Sequence, residues 1–157
     1  MKPEETMTAS PTPPRLAVVV SRFNREVTEG LLAGARRELA ERSVPLAEAD
    51  IFPAPGAFEI PLLARTLAES GRYDGVICLG CVIKGDTAHF EFISLGAATG
   101  LMQAMLTTGV PIAFGILTTY TDEQALVRSR ADAANKGREA AAACVETLET
   151  LARIRAA

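Results

Sequence analysis

Val76-Ile77-Cys78-Leu79-Gly80-Cys81-Val82-Ile83 is the most strand-like stretch of this chain, and Lys84-Gly85-Asp86-Thr87-Ala88-His89 follows it directly. The apolar run reads as a buried strand, and the Gly-Asp-Thr turn closes it. A helical-looking run then extends from Phe90 to Thr108. In an open α/β sheet, loops at the carboxyl ends of parallel strands face the ligand crevice. His89, the only histidine, therefore stands where such a sheet places its chemistry, and imidazole is the side chain that exchanges protons near neutral pH. The free N–H groups and dipole at the helix start favour an anion beside it.

Outward from this segment the chain alternates short β-branched runs with amphipathic ones. Leu16 to Val20 reads as a first strand, Thr28 to Arg42 as a helix with Leu31, Leu32, Ala35 and Leu39 on one face, and Leu46 to Phe52 as a second strand. A helix begins near Pro61, in its favoured first-turn position. After the Val76–Ile83 strand and its helix come a fourth strand from Ile112 to Leu117, a short helix from Asp122 and an Ala-rich helix from Ala131 onward. This alternation implies a three-layer αβα sandwich around a four-stranded parallel sheet, with right-handed crossovers. Residues 15–157 read as a single domain and residues 1–14 as a flexible Pro-rich arm.

With 157 residues and a formal net charge of −3, the chain has the size of one domain and nothing that points to nucleic acid or an anionic membrane. The first 14 residues hold Glu4 and Glu5 but no apolar signal-like run. A cytoplasmic location is expected. Three cysteines cannot all pair, which agrees with a reducing compartment. Cys78 and Cys81 spell Cys-x-x-Cys, but residues three apart on a strand point to opposite faces, so buried, inert thiols are expected rather than a redox pair. One histidine and two such cysteines do not make a zinc site, and no metal is expected.

The run from Phe90 to Thr108 carries one charged residue, Glu91, and apolar or small residues all round. Such a helix is buried on every side, which one sheet face cannot achieve in so small a domain. Burial against other subunits is expected, with Gly96, Ala97, Ala98 and Gly100 allowing close helix approach.

Three further loops fall at the same end of the sheet. Ser21-Arg22-Phe23-Asn24 follows the first strand, Pro55-Gly56-Ala57-Phe58-Glu59-Ile60-Pro61 the second, and Thr118-Thr119-Tyr120-Thr121 the fourth. Phe23 either stacks on a planar heterocycle or folds back onto the core. Glu59 either accepts hydrogen bonds from ligand hydroxyls or is a plain helix N-terminal charge. Gly80 to Thr87 nearly matches the phosphate-binding pattern G-x-x-x-x-G-K-[ST], but Asp86 replaces its lysine, which argues against a nucleoside triphosphatase. The backbone of Asp86 and Thr87 can still hold a single phosphate if a guanidinium balances the charge, with Arg128 and Arg130 as candidates. A solvated charged face is the alternative for that pair.

In order and spacing, the stretches Ser-Arg-Phe-Asn, Pro-Gly-Ala-Phe-Glu-Ile-Pro, Gly-Cys-Val-Ile-Lys-Gly-Asp-Thr-Ala-His, Gly-Val-Pro-Ile-Ala-Phe-Gly-Ile-Leu-Thr-Thr, Glu-Gln-Ala and Asn-Lys-Gly resemble the lumazine synthase family from about Leu16 to Ala152. The resemblance implies a flavodoxin-like arrangement and the condensation of 5-amino-6-(D-ribitylamino)uracil with 3,4-dihydroxy-2-butanone 4-phosphate, the penultimate step of riboflavin synthesis, without metal or organic cofactor. It implies that Phe23 stacks on the pyrimidine and that Ala57, Phe58 and Glu59 hold the ring and ribityl chain. Cys81, Val82 and Ile83 would offer main-chain groups to the uracil edge. Asp86, Thr87 and Arg128 would bind the phosphate, His89 would move protons, and Phe114 would close the site from the adjacent subunit. Arg130 and Lys136 are additional candidates. The implied assembly is a homopentamer with shared active sites, with a sixty-subunit icosahedral shell as the alternative and riboflavin synthase as a partner.

The chain departs from the family's pattern at Phe52-Pro53-Ala54-Pro55, at Asp86, and at Arg130-Ala131-Asp132-Ala133-Ala134-Asn135, where a Gly-containing stretch is common. The absence of glycine from Ser129 to Ala134 favours continued helix. With an arm poorly suited to strand addition, this predicts isolated pentamers.

Overall fold

The computed structural model describes residues 12–157, so most of the expected arm lies outside the described residues. Four strands, β1 (Leu16–Ser21), β2 (Ile51–Ala54), β3 (Gly75–Ile83) and β4 (Ile112–Thr119), form one parallel sheet in the order β2-β1-β3-β4. The helices are α1 (Arg25–Glu41), α2 (Ile60–Glu69), α3 (His89–Thr108), α4 (Asp122–Arg128) and α5 (Lys136–Ala156). One core face joins the sheet to α1 and α5 through Leu31, Leu39, Ile77, Leu79 and Cys144. The other joins it to α2 and α3 through Val19, Ile60, Val76, Leu101 and Ile116. This is the expected αβα sandwich. The strand order reverses between β1 and β3, and the crevice of such a fold opens at that switch point.

Several boundaries differ from those the sequence predicts. β2 starts at Ile51 rather than Leu46, because Glu48–Asp50 forms a 3-10 turn closed by the Asp50 N–H on the Ala47 carbonyl at 3.0 Å. As an edge strand it tolerates Pro53, which lacks a donor for the ladder. α1 starts at Arg25 rather than Thr28. Asn24 adopts a left-handed conformation (φ 59°), and its carbonyl accepts from the Val27 and Thr28 N–H groups. Asparagine tolerates that conformation better than most residues.

The larger correction concerns the segment after α4. α5 starts at Lys136, not Ala131, and residues 129–135 turn without any glycine. Asn135, 1 % exposed, supplies what propensity did not foresee. Its Oδ1 caps α5 by accepting from Gly137 N (2.8 Å) and Arg138 N (3.2 Å). Its Nδ2 donates to the Arg130 carbonyl (2.8 Å) and to Gly30 of α1 (3.1 Å). Four side-chain bonds from one buried residue outweigh the helix preference of Ala and Arg, worth a few tenths of a kcal/mol each. The continued helix offered as ground for isolated pentamers is therefore absent.

The small residues of α3 also serve a different contact from the one expected. A Cβ on Gly96 would stand 3.1 Å from the Phe58 ring, and one on Gly100 would stand 2.9 Å from Pro61. They let α3 approach the start of α2 within the same chain, fixing the loop that carries Phe58 and Glu59. Only Ala97, Leu101 and Ala104 of α3 are buried, while Phe92, Leu95, Met102 and Leu106 face outward. Among the described residues no helix is long and apolar enough to cross a membrane.

Candidate active site

Four separated stretches converge at the carboxyl ends of the strands. Phe23, the loop from Pro55 to Glu59, the strand end Cys81–Ile83, and His89 with Ile93 of α3 line one cleft of about 470 Å³. Larger shallow hollows, each about 650 Å³, lie beside Ser43 and Val44 where α1 ends, at the opposite end of the sheet. The cleft at the switch point, with its converging polar groups, is the better candidate for chemistry.

The backbone explains the convergence. Beyond the β1–β2 ladder, Arg22 N donates to Ala54 O (2.8 Å) and Phe23 N to Pro55 O (3.2 Å), so the first two loops are laced together. The Phe23 ring is 69 % exposed, which decides against its folding back onto the core. β1 pairs with β3 only as far as Val20↔Leu79, whereas β3 continues beside β4 to Ile83↔Thr119. The β1-facing main chain of the last β3 residues is thus left to the cleft. Asn24 Nδ2 takes the Cys81 carbonyl there at 2.9 Å. Lys84 N donates to Thr119 O (2.8 Å), so strand alternation turns the main chains of Lys84 and Val82 toward β4 and that of Ile83 toward the cleft. Val82 presents its side chain on the α2/α3 side.

Glu59 ends a 3-10 turn, Ala57–Glu59, and occupies the N-cap of α2 without a side-chain cap bond. Its exposed carboxylate is free to accept hydrogen bonds from hydroxyls. His89 is the first residue of α3, and its N–H reaches Thr87 Oγ1 at 3.4 Å. Asp86 and Thr87 lie in the turn joining two lining residues, Ile83 and His89. Among the described residues the N–H groups of Gly85, Asp86, Thr87 and Ala88 find no acceptor. They form a ready cradle for an anion at the start of a twenty-residue helix.

Cys78 and Cys81 project to opposite faces of β3, the first into the α2/α3 core and the second into the α1/α5 core. Burial, with a smaller push from the Asp122 carboxylate, raises the Cys81 thiol to about 11. Its contribution to the cleft is main chain, not thiolate.

The remaining candidates lie elsewhere in the same subunit. Arg128 ends α4, packed with α1 and α5, and donates to Gln124 O at 3.0 Å. Arg130 is exposed in the following turn, and Lys136 pairs with Glu139 at 2.8 Å at the start of α5. Phe114, half exposed on edge strand β4, lies on the sheet face of Ile112 and Ile116. None of these lines the cleft of its own chain. Sequence reasoning overlooked Asn24 and Ile93. The left-handed tolerance of asparagine is a signal for the first, whereas Ile93 is indistinguishable from any core position of α3.

The fold and site define a parallel α/β protein whose cleft brings the exposed Phe23 ring close to a turn of unpartnered N–H groups at the start of α3. Residues 13–152 match the family described as 6,7-dimethyl-8-ribityllumazine synthase. The chain is 67 % identical over 145 residues to 6,7-dimethyl-8-ribityllumazine synthase 1 of Caulobacter vibrioides, covering 92 % of this chain and 95 % of that one. It is 47 % identical over 140 residues to the Deinococcus deserti synthase (89 % and 90 % covered) and 49 % over 132 residues to that of Salinibacter ruber (84 % and 85 %). The chain belongs to the 6,7-dimethyl-8-ribityllumazine synthase family, a family of transferase-type enzymes of riboflavin biosynthesis.

Proposed function

We propose that this cleft condenses 5-amino-6-(D-ribitylamino)uracil with 3,4-dihydroxy-2-butanone 4-phosphate, the reaction of the family, with the residues in the following roles. The observation that carries the assignment is the meeting of Phe23, Ala57–Glu59, Cys81–Ile83 and His89, distant in sequence, around one cavity. Phe23 stacks on the pyrimidine, and the Cys81 and Ile83 main chains meet its polar edge. Phe58 borders the ring, and Glu59 accepts from ribityl hydroxyls. The turn N–H groups of Asp86 and Thr87 receive the phosphate.

The amine attacks the ketone carbonyl, and loss of water leaves an imine. Elimination of phosphate and ring closure, with loss of a second water, complete the product. Every step moves a proton, and His89, which lines the cleft and directly follows the turn, carries it. Amines and ketones condense unaided, so holding the two substrates in register supplies much of the acceleration.

Arg128, Phe114 and Lys136 serve the cleft of a neighbouring subunit, since their own lies elsewhere. Phe92, Leu95, Met102 and Leu106 of α3, Phe114 of β4, and Phe58 and Leu62 beside the cleft are all exposed, an apolar area that suits contact with other subunits. A head-to-tail interface whose rotation closes gives a ring, here a pentamer, alone or as part of a sixty-subunit shell able to associate with riboflavin synthase. The three free, buried cysteines suit a reducing cytoplasm. Mixing the purified protein with the two substrates tests the function. The lumazine chromophore is expected to appear well above the uncatalysed background, and a rate equal to that background would refute the assignment.

A further inference from the structure

Of the loops at the carboxyl end of the sheet, the one after β4 contributes no residue to the cleft, yet it carries an aromatic ring, Tyr120, that is 67 % exposed. That ring touches both flanks of the phosphate turn. On one side its centroid lies 6.1 Å from that of Phe90, the residue after His89, with the planes tilted by 46°. On the other, the Nζ of Lys84, the residue before Gly85, sits 5.6 Å from the centroid. The turn from Gly85 to His89 is thus spanned by one side chain at both ends.

The ring is itself anchored. Tyr120 N donates to Gln124 Oε1 at 2.9 Å, and Gln124 N donates to Thr121 Oγ1 at 3.1 Å, a reciprocal capping arrangement that fixes the ring's backbone to the start of α4. Thr119 Oγ1 donates to Thr121 O at 3.1 Å, and Lys84 N donates to Thr119 O at 2.8 Å. Within the turn itself, by contrast, Gly85, Asp86 and Thr87 make no backbone bond that would hold them, and only the Ala88 carbonyl, accepting from Glu91 N (3.1 Å) and Phe92 N (3.3 Å), ties the end of the turn to α3. A cradle of unpartnered N–H groups binds an anion well only if its shape is set beforehand.

We propose that Tyr120 is a positioning residue for the phosphate-bearing substrate, clasping Lys84 and Phe90 so that the turn from Gly85 to His89 keeps its anion-binding shape. This rests on the reading of that turn as the phosphate cradle. The ring acts through its π face and edge, not through its hydroxyl, so phenylalanine replaces it in function and alanine does not.

Steady-state kinetics of the full chain, with each substrate varied in turn and inorganic phosphate as competitor, test this. Tyr120→Ala is expected to raise KM for the butanone phosphate and the inhibition constant of phosphate about five- to tenfold, while KM for the pyrimidine changes by less than about twofold. Tyr120→Phe is expected to stay within about twofold of the parent in all three. Should Tyr120→Ala fail to fold, Tyr120→Leu carries the same expected direction, since it keeps bulk against Phe90 but offers no π face to Lys84. Unchanged phosphate terms, an equal rise in both KM values, or a Tyr120→Phe variant as impaired as Tyr120→Ala would overturn the clasp alone. If phosphate does not compete in the parent enzyme, the cradle reading fails and the clasp falls with it.

Discussion

Asn24 Nδ2 donates to the Cys81 carbonyl oxygen at 2.9 Å, tying the loop that carries Phe23 to the strand end that borders the same cleft. The bond depends on a left-handed backbone at Asn24 (φ 59°). Two costs can therefore be separated by substitution. Asn24→Ala loses the bond and strains the backbone, for roughly 2 kcal/mol, whereas Asn24→Gly loses only the bond, for about 1 kcal/mol. Thermal unfolding of the two variants should show that order, with KM for the pyrimidine raised in both. Equal destabilisation would mean that the conformation of Asn24 is not under constraint.

Asn135 offers a sharper stability test. Replacing it by alanine removes the α5 cap and the bonds to Gly30 and Arg130, leaving buried groups unpaired. A loss of roughly 2 to 4 kcal/mol is expected, against about 1 kcal/mol for a simple exposed cap. Denaturant unfolding of Asn135→Ala measures it, and a change below about 1 kcal/mol would show that this residue does not hold the turn.

The sheet, its order of elements and most of the cleft were legible in the sequence because they rest on local signals. β-branched runs mark strands, and Phe23, Glu59 and His89 are chemically conspicuous in their loops. The turn before Asn135 was not legible, since it is set by a bond to Gly30, far away in sequence, against the local helix preference. Nor was the partner of Gly96 and Gly100: small residues announce a close approach without saying whether α2 or another chain makes it. Arg128 reads from sequence as a phosphate ligand, but its exposed position at the end of α4, outside the cleft of its own chain, becomes visible only when the chain is folded.

The three thiols give a pH dependence with a definite sign. Burial pushes Cys81 to about 11 and Cys144 to about 12 from an ordinary value of 9.0, and drives Cys78 upward as well. The folded chain then holds protons that the unfolded chain releases. Their stabilising contribution is full below pH 9.0 and is lost as pH rises toward 11 or 12. Stability should fall over that window, and iodoacetamide at about pH 8 should label none of the thiols in the native protein but all of them in denaturant. Rapid native labelling of Cys78 would contradict the packing described.

His89→Ala should slow turnover by only about 10- to 100-fold, because positioning carries much of the rate and the imidazole assists. Complete loss of activity in a variant of unchanged mass would show that proton transfer, not positioning, limits the reaction.

Arg128→Ala should cost roughly 1.5 to 3 kcal/mol of charge-assisted bonding to the phosphate, read as a higher KM for the butanone phosphate with little change for the pyrimidine. An unchanged KM would remove Arg128 from the cradle and leave Arg130 as the candidate guanidinium.

The most direct test of a site shared between subunits is to combine two damaged chains. His89 lines the cleft of its own subunit, whereas Arg128 is exposed at the end of α4, whose Ala125 and Leu126 pack into the α1/α5 core, and does not line that cleft. When the His89→Ala and Arg128→Ala chains are unfolded together in equal amounts and reassembled, random head-to-tail rings place an intact cleft beside an intact Arg128 at about one interface in four. Activity at subsaturating butanone phosphate should then recover to about a quarter of the parent's, well above either variant alone. If the reassembled mixture shows only the average of the two separate variants, both residues act within one chain, and the shared site is wrong.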